Sequence, residues 1–146
     1  RNVLEIRTSN GYSTLWLAEA VATTGGHVTT LEHSAAKVAL AQANFQRAGL
    51  APWITLLQED AGRAMADVQD AAWDLIFLDA DRAQYPAWWP QLKRLLRPGG
   101  LLVADNATSH PEELAPFLAL VRGDPQFTTC LVPLGNGEFL AVKEQG

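Results

Sequence analysis

Five short runs rich in Val, Ile and Leu are each followed by polar residues of a kind that can do chemistry. Residues 3–6 lead into "RTSNGYS", 28–31 into Glu32, 54–57 into "QEDAG", 75–78 into "DADR" and 101–104 into "DNATSH". Four of these five ends carry a carboxylate. Any one of them could be polar only because loops are wet, but their recurrence points to a shared use. Asp79, Asp105 and Asn106 supply three oxygen donors from the ends of two runs, and hard cations such as Mg²⁺ or Ca²⁺ favour all-oxygen sites completed by water or substrate. The competing reading has Asp105 and Asn106 capping the next loop, with Asp79 contacting a bound ligand instead.

Gly11 and Glu32 form a second constellation, 21 residues apart. A carboxylate about 20 residues beyond a glycine loop is placed to bond both hydroxyls of a ribose. Dinucleotide sites pair that carboxylate with several glycines that present backbone amides to a pyrophosphate. Here the loop holds one glycine together with Thr8, Ser9 and Ser13, and Glu5 adds negative charge. That chemistry suits an adenosine carrying a positive charge better than one carrying phosphates, and S-adenosylmethionine is such a ligand.

The positioning elements follow from periodicity. Runs nearly continuous in Val, Ile and Leu suit strands buried on both faces of a parallel sheet. Between the second and third runs, Ser34 is an N-cap signal, Val38, Ala41, Phe45 and Ala48 recur at helical spacing, and Gly49 ends the element. Residues 85–96 read as a helix with Pro86 in its first turn and Pro90 inside, stopped by Pro98, Gly99 and Gly100. Ser109 and Glu112 have capping-box spacing before a helix that buries Leu114, Phe117, Leu118 and Val121, with Pro116 an unfavourable residue within it. Strands at 127–132 and 139–143 flank an Asn136-Gly137 tight turn, which makes them antiparallel neighbours. Alternating strands and helices closed by a hairpin give a doubly wound α/β sheet, which binds ligands at the carboxyl ends of its strands.

The totals narrow the partners. The chain has 146 residues and a formal charge of −5, with scattered Lys and Arg, so nucleic acid is disfavoured and a small molecule preferred. Cys130 is the single cysteine, expected to be packed in its strand, and no run reaches the ~18 apolar residues of a membrane span. A cytoplasmic location is the default expectation. One domain over residues 1–146 is expected; the chain begins at Arg1 without Met and with no signal-peptide pattern.

"VLEIRTSNGYSTLWLA", "TLEHS", "QEDA", "WDLIFLDADRAQY", "RPGGLLVADN" and "GNGEFLAV" together resemble class I S-adenosylmethionine-dependent methyltransferases, specifically the small O-methyltransferases that include the catechol and caffeoyl-CoA enzymes. The resemblance covers essentially the whole chain and implies a Rossmann-like, mostly parallel seven-stranded sheet of order 3-2-1-4-5-7-6 with an antiparallel last strand. It also implies methyl transfer to a hydroxyl of a small, catechol-like substrate. Glu5, Ser9, Gly11 and Ser13 match the residues around the methionine part, Glu32 the ribose ligand with His33 flanking the adenosine, and Asp60 and Ala61 the residues beside the adenine. Asp79, Asp105 and Asn106 match the positions that bind a divalent metal, which holds two neighbouring substrate hydroxyls and lowers the pKa of one. A homodimer is the assembly such a resemblance suggests.

Three departures stand against it. Arg82 occupies a point where several relatives have a lysine base; a guanidinium stays protonated and can only steady an anion. His110 is an alternative base, although its place before Pro111 at a helix start favours a capping or surface role. Arg7 replaces the first glycine of the loop, where a long side chain fills the cofactor cleft or swings out of it, pairs with Glu5 or the ligand carboxylate, and weakens cofactor binding if it stays. Relatives also carry helices ahead of the first strand, and the expectation is a domain lacking them. These departures define the alternative: a noncatalytic, degenerate relative that binds adenosine ligands or a protein partner. His27 reads as a surface residue, and Trp88 and Trp89 as core or interface residues.

Overall fold

The computed structural model describes residues 1–68 and 70–145. Its seven strands form one sheet of order β3-β2-β1-β4-β5-β7-β6. This is the expected doubly wound order: β2 pairs in parallel with β1 and β3, β4 pairs in parallel with β5, and β7 runs antiparallel to both β5 and β6. The chain divides into two compact units, one spanning Arg1–Asp67 and one from Val68 onward.

The first unit contains β1 (Asn2–Ile6), α1 (Tyr12–Ala22), β2 (His27–Glu32), α2 (Ala35–Ala48), β3 (Ile54–Gln58) and the short α3 (Ala61–Ala66). β2 pairs in parallel with β1 and with β3, with Ile6 opposite Leu31 and Glu32 opposite Gln58. The helix signals act as expected: Ser34 Oγ accepts from the Lys37 N–H at 3.4 Å, and Gly49 closes α2 in the left-handed region at φ +73°. Val38, Ala41 and Phe45 are its buried stripe.

The second unit contains β4 (Trp73–Leu78), α4 (Tyr85–Leu95), β5 (Leu96–Asp105), α5 (Pro111–Arg122), β6 (Phe127–Val132) and β7 (Glu138–Lys143). Trp88 and Trp89 are core residues: Trp89 meets Phe117 edge-on at 5.8 Å and Phe127 at 4.9 Å, and Tyr85 meets Phe117 at 5.4 Å.

Several expectations need correction. The helix predicted over 85–96 ends at Leu95, and Leu96, buried and paired with Trp73, begins β5. Pro98, Gly99 and Gly100 do not interrupt this strand; they are absorbed as an irregularity in which the register shifts between Trp73 and Leu75. The tight turn lies one residue earlier than predicted, with Gly137 N–H donating to Leu134 O at 2.9 Å and Gly135 at φ +59°. His110, not Ser109, holds the N-cap position of α5, and neither side chain caps it. β3 is an edge strand, half-exposed along its length, and Cys130 on β6 is exposed. An apolar run thus does not reveal whether its strand has a neighbour on each side. No helix among the described residues is long and apolar enough to cross a membrane.

Candidate functional site

In the first unit, β1 breaks out of its strand at Arg7 and returns as α1 at Tyr12. The N–H groups of Arg7 and Thr8 both donate to Leu31 O, at 2.9 and 3.0 Å, which seats the loop on the end of β2. Arg7, Ser9 and Gly11 all have positive φ, at +82°, +53° and +90°. Only Gly11 takes that conformation without steric penalty, and a Cβ there would also meet Phe45 Cε1 at 2.6 Å. Backbone strain at two non-glycine residues in one strand-end loop is of the kind found at functional sites.

Two buried carboxylates support this loop in different ways. Glu5 has no exposed surface; it accepts hydroxyl hydrogen bonds from Ser13, Thr14 and, at 2.8 Å, Thr30, whose hydroxyl also contacts Thr8 Oγ1 at 2.6 Å. Glu5 thus ties β1, β2 and the first turn of α1 together from within, rather than offering oxygen at a surface. Glu32 accepts from the Ser9 N–H at 2.8 Å through Oε1 and from the Ser34 N–H at 3.1 Å through Oε2. These bonds use two of the roughly four acceptor positions of a carboxylate and fix its plane, leaving capacity for two hydroxyls.

The other residues predicted for this half are more exposed. Asp60 Oδ2 accepts from the Arg63 N–H at 3.1 Å and caps α3, whose first residue, Ala61, is half-buried. His33 is exposed and His27 shares a hydrogen bond with Thr55 Oγ1 at 2.6 Å. The Arg7 side chain is exposed and is not among the side chains that hydrogen-bond Glu5. A groove of about 430 Å³ lies along α1, lined by Tyr12, Leu15, Trp16, Glu19, Ala48 and Leu50, none of them predicted for the site.

In the second unit, β4 and β5 run parallel with Leu78 opposite Ala104, so Asp79 and Asp105 leave adjacent strand ends side by side. Asn106, at φ +64°, joins them: its N–H donates to Asp105 Oδ1 at 2.8 Å and its Nδ2 to Asp79 Oδ1 at 3.3 Å. Its Oδ1 accepts from Ser109 Oγ at 3.2 Å, and Ser109 Oγ also lies 3.0 Å from His110 Nδ1. His110 is exposed. Arg82 is held by Glu113 of α5, Nε to Oε2 at 2.8 Å. Tyr85 secures the loop after β4, accepting from the Ala80 N–H at 2.8 Å and donating to Ala80 O at 3.3 Å; burial pushes its hydroxyl pKa up to about 12.

The sequence carried no sign of Glu138. It faces Asp105 in the antiparallel β5/β7 register, and its carboxyl is hydrogen-bonded to Asp105. Burial, that hydrogen bond and the charges of Asp105 and Asp79 push its pKa up to about 8. Its Oε2 is buried and has no partner. The signal existed only as a pairing, because a hairpin's register against a third strand is not written in the hairpin itself. Among the described residues, no three His, Cys, Asp or Glu side chains are grouped so as to hold a metal ion on their own.

Residues 1–144 match a family model described as O-methyltransferase. The chain is 39% identical over 109 residues to a catechol O-methyltransferase of Niastella koreensis, a match covering 73% of this chain and 49% of that protein, so it spans about half that relative's length. Among solved structures, an O-methyltransferase of Bacillus cereus in complex with SAH superposes with a TM-score of 0.85 at 29% identity, covering 99% of this chain and 74% of that one. An O-methyltransferase of tomaymycin synthesis from Streptomyces achromogenes, in complex with SAM, gives 0.82 at 26% identity over 99% of this chain and 73% of that one.

Proposed function

The chain belongs to the O-methyltransferase family, and from that premise we propose that it moves a methyl group from S-adenosylmethionine to a hydroxyl of a small acceptor. The observation that carries the donor half is Glu32: a buried carboxylate whose plane is fixed by two backbone N–H groups at the edge of a glycine loop, with acceptor capacity to spare for a ribose diol. The strained loop at Arg7–Gly11 lies beside it for the methionine part, and Asp60 and Ala61 stand at the next strand end for the base.

Asp79, Asp105 and Asn106 form the acceptor half. The donor set is all oxygen, already joined by hydrogen bonds, and a buried acceptor on neighbouring Glu138 lacks a donor; these features fit a hydrated hard cation such as Mg²⁺. When bound, a divalent cation supplies Lewis acidity that lowers the pKa of an acceptor hydroxyl. Asp79, Asp105 and Asn106 would hold it. Arg82, clamped by Glu113, cannot take the hydroxyl proton and instead steadies negative charge on the acceptor. Much of the rate of an in-line methyl displacement comes from alignment, which the Tyr85 anchor on Ala80 serves by fixing the loop that bears Asp79 and Arg82.

Transfer of labelled methyl from S-adenosylmethionine to a panel of catechols, with and without Mg²⁺, tests the reading. Turnover that chelator abolishes supports both halves. Turnover indifferent to chelator removes the cation, and no turnover across the panel, with intact donor binding, points to the degenerate alternative.

A further inference from the structure

Glu138 stands so far only as a buried acceptor without a donor, with no task of its own. It leads β7, and in the antiparallel β5/β7 pairing it lies directly opposite Asp105, so the two side chains share a face of the sheet. Its carboxyl shares a hydrogen bond with Asp105. Oε2 is shut away from solvent with no donor among the described residues, a condition that folded proteins rarely leave uncorrected. The surroundings raise the demand for positive charge or a donor: Asp79 and Asp105 are the neighbours that act on this carboxyl, while Arg82 gives its Nε–H to Glu113.

Resting on the reading of Asp79, Asp105 and Asn106 as a cation site, we propose that Glu138 is a positioning residue of that site, steadying Asp105 opposite it and accepting from a cation-bound water through Oε2. Direct coordination is not its role, because no three carboxylates of the described residues are grouped closely enough to share an ion. Mg²⁺ keeps several of its waters when bound by one or two carboxylates, and outer carboxylates that hold ligands and waters shape both affinity and geometry. The hairpin thus has a purpose beyond completing the sheet: Ala107 N–H donates to Gly137 O, and Thr108 and Ser109 N–H donate to Asn136 O, so the β6–β7 turn and the loop bearing Asn106 are fixed to each other beside Glu138.

The test is titration of Mn²⁺ at constant pH, followed by electron paramagnetic resonance of the free ion, on the parent protein and on Glu138→Leu and Glu138→Gln. Glu138→Leu removes both oxygens and is expected to weaken Mn²⁺ binding about 10- to 100-fold, while Glu138→Gln keeps one acceptor and falls between, at least about threefold weaker than the parent. The spectrum of bound Mn²⁺ should also change in Glu138→Leu, which a merely structural role would not produce. If Glu138→Leu fails to fold, the Glu138→Gln value decides. Affinities unchanged in the variants, or no Mn²⁺ binding by the parent protein, overturn the proposal. S-adenosylhomocysteine affinity, measured separately, is expected to be unchanged in both variants, and its absence in the parent defeats the donor reading rather than Glu138.

Discussion

Arg7→Gly should make this protein more stable, although it deletes the largest side chain of the loop. Arg7 sits at φ +82°, beyond the left-handed well near +57°, and its backbone is fixed there by the hydrogen bond from its N–H to Leu31 O. An L-residue held in that region costs about 1–2 kcal/mol, whereas the extra freedom of glycine in the unfolded chain takes back roughly 0.5–1 kcal/mol. The net gain is about 0.5–1 kcal/mol, or roughly 2–3 °C in melting temperature for a domain of this size. Arg7→Ala removes the charge but keeps the Cβ, so its melting temperature should stay close to that of the parent. A calorimetric scan of the three proteins is decisive: if Arg7→Ala matches Arg7→Gly, the strain argument is refuted. Donor binding separates the electrostatic part. Two positive charges 4 Å apart repel by about 1 kcal/mol in water and about 4 kcal/mol at an effective dielectric of 20, and an exposed guanidinium belongs near the lower figure. Arg7→Gly should therefore favour the sulfonium of S-adenosylmethionine over neutral S-adenosylhomocysteine by up to about fivefold relative to the parent. An unchanged ratio means the Arg7 charge is harmless.

Glu5→Gln replaces one carboxylate oxygen by an NH2 donor, so that either the half-buried Ser13 hydroxyl on Oε2 or the buried Thr14 and Thr30 hydroxyls on Oε1 lose their acceptor, and should cost about 1–3 kcal/mol in urea unfolding. Gly11→Ala combines φ +90° with a Cβ 2.6 Å from the Phe45 ring and should cost about 2 kcal/mol or more, partly recovered by Phe45→Leu. Glu138, with a folded pKa raised from 4.5 to about 8, stabilises the metal-free protein fully below pH 4.5 and loses that contribution as pH rises through 8. Its partial exposure screens the effect to on the order of 1 kcal/mol, and melting of Glu138→Gln in chelator should lack this part of the pH dependence.

What the residue pattern foretold was the order of elements and the strand ends that bear chemistry. Continuous apolar runs marked the strands, and Ser34 and Gly49 marked a helix to the residue, because caps act locally. Long-range pairing was less legible. Leu96 reads as the last helical residue and Pro98 to Gly100 as the stop, but burial of Leu96 and its pairing with Trp73 override the local signal of proline and glycine. The exposure of β3 and Cys130 depended on which strands became edges. Around the site, Glu32 and the Asp79, Asp105 and Asn106 cluster were readable as strand-end residues, whereas the burial of Glu5 among hydroxyls and the facing of Glu138 to Asp105 arose from contacts between distant segments. The unusual backbone at Arg7 was readable only by comparison with a glycine expected there.

Titration of S-adenosylhomocysteine into the parent protein and Glu32→Gln tests the central claim most directly. The account predicts one molecule bound per chain, and affinity at least about tenfold weaker in a Glu32→Gln protein that still melts cooperatively, since a hydrogen bond to a charged group is worth about 1.5–3 kcal/mol. Absence of binding by the parent, or equal affinities in the two proteins, would contradict it.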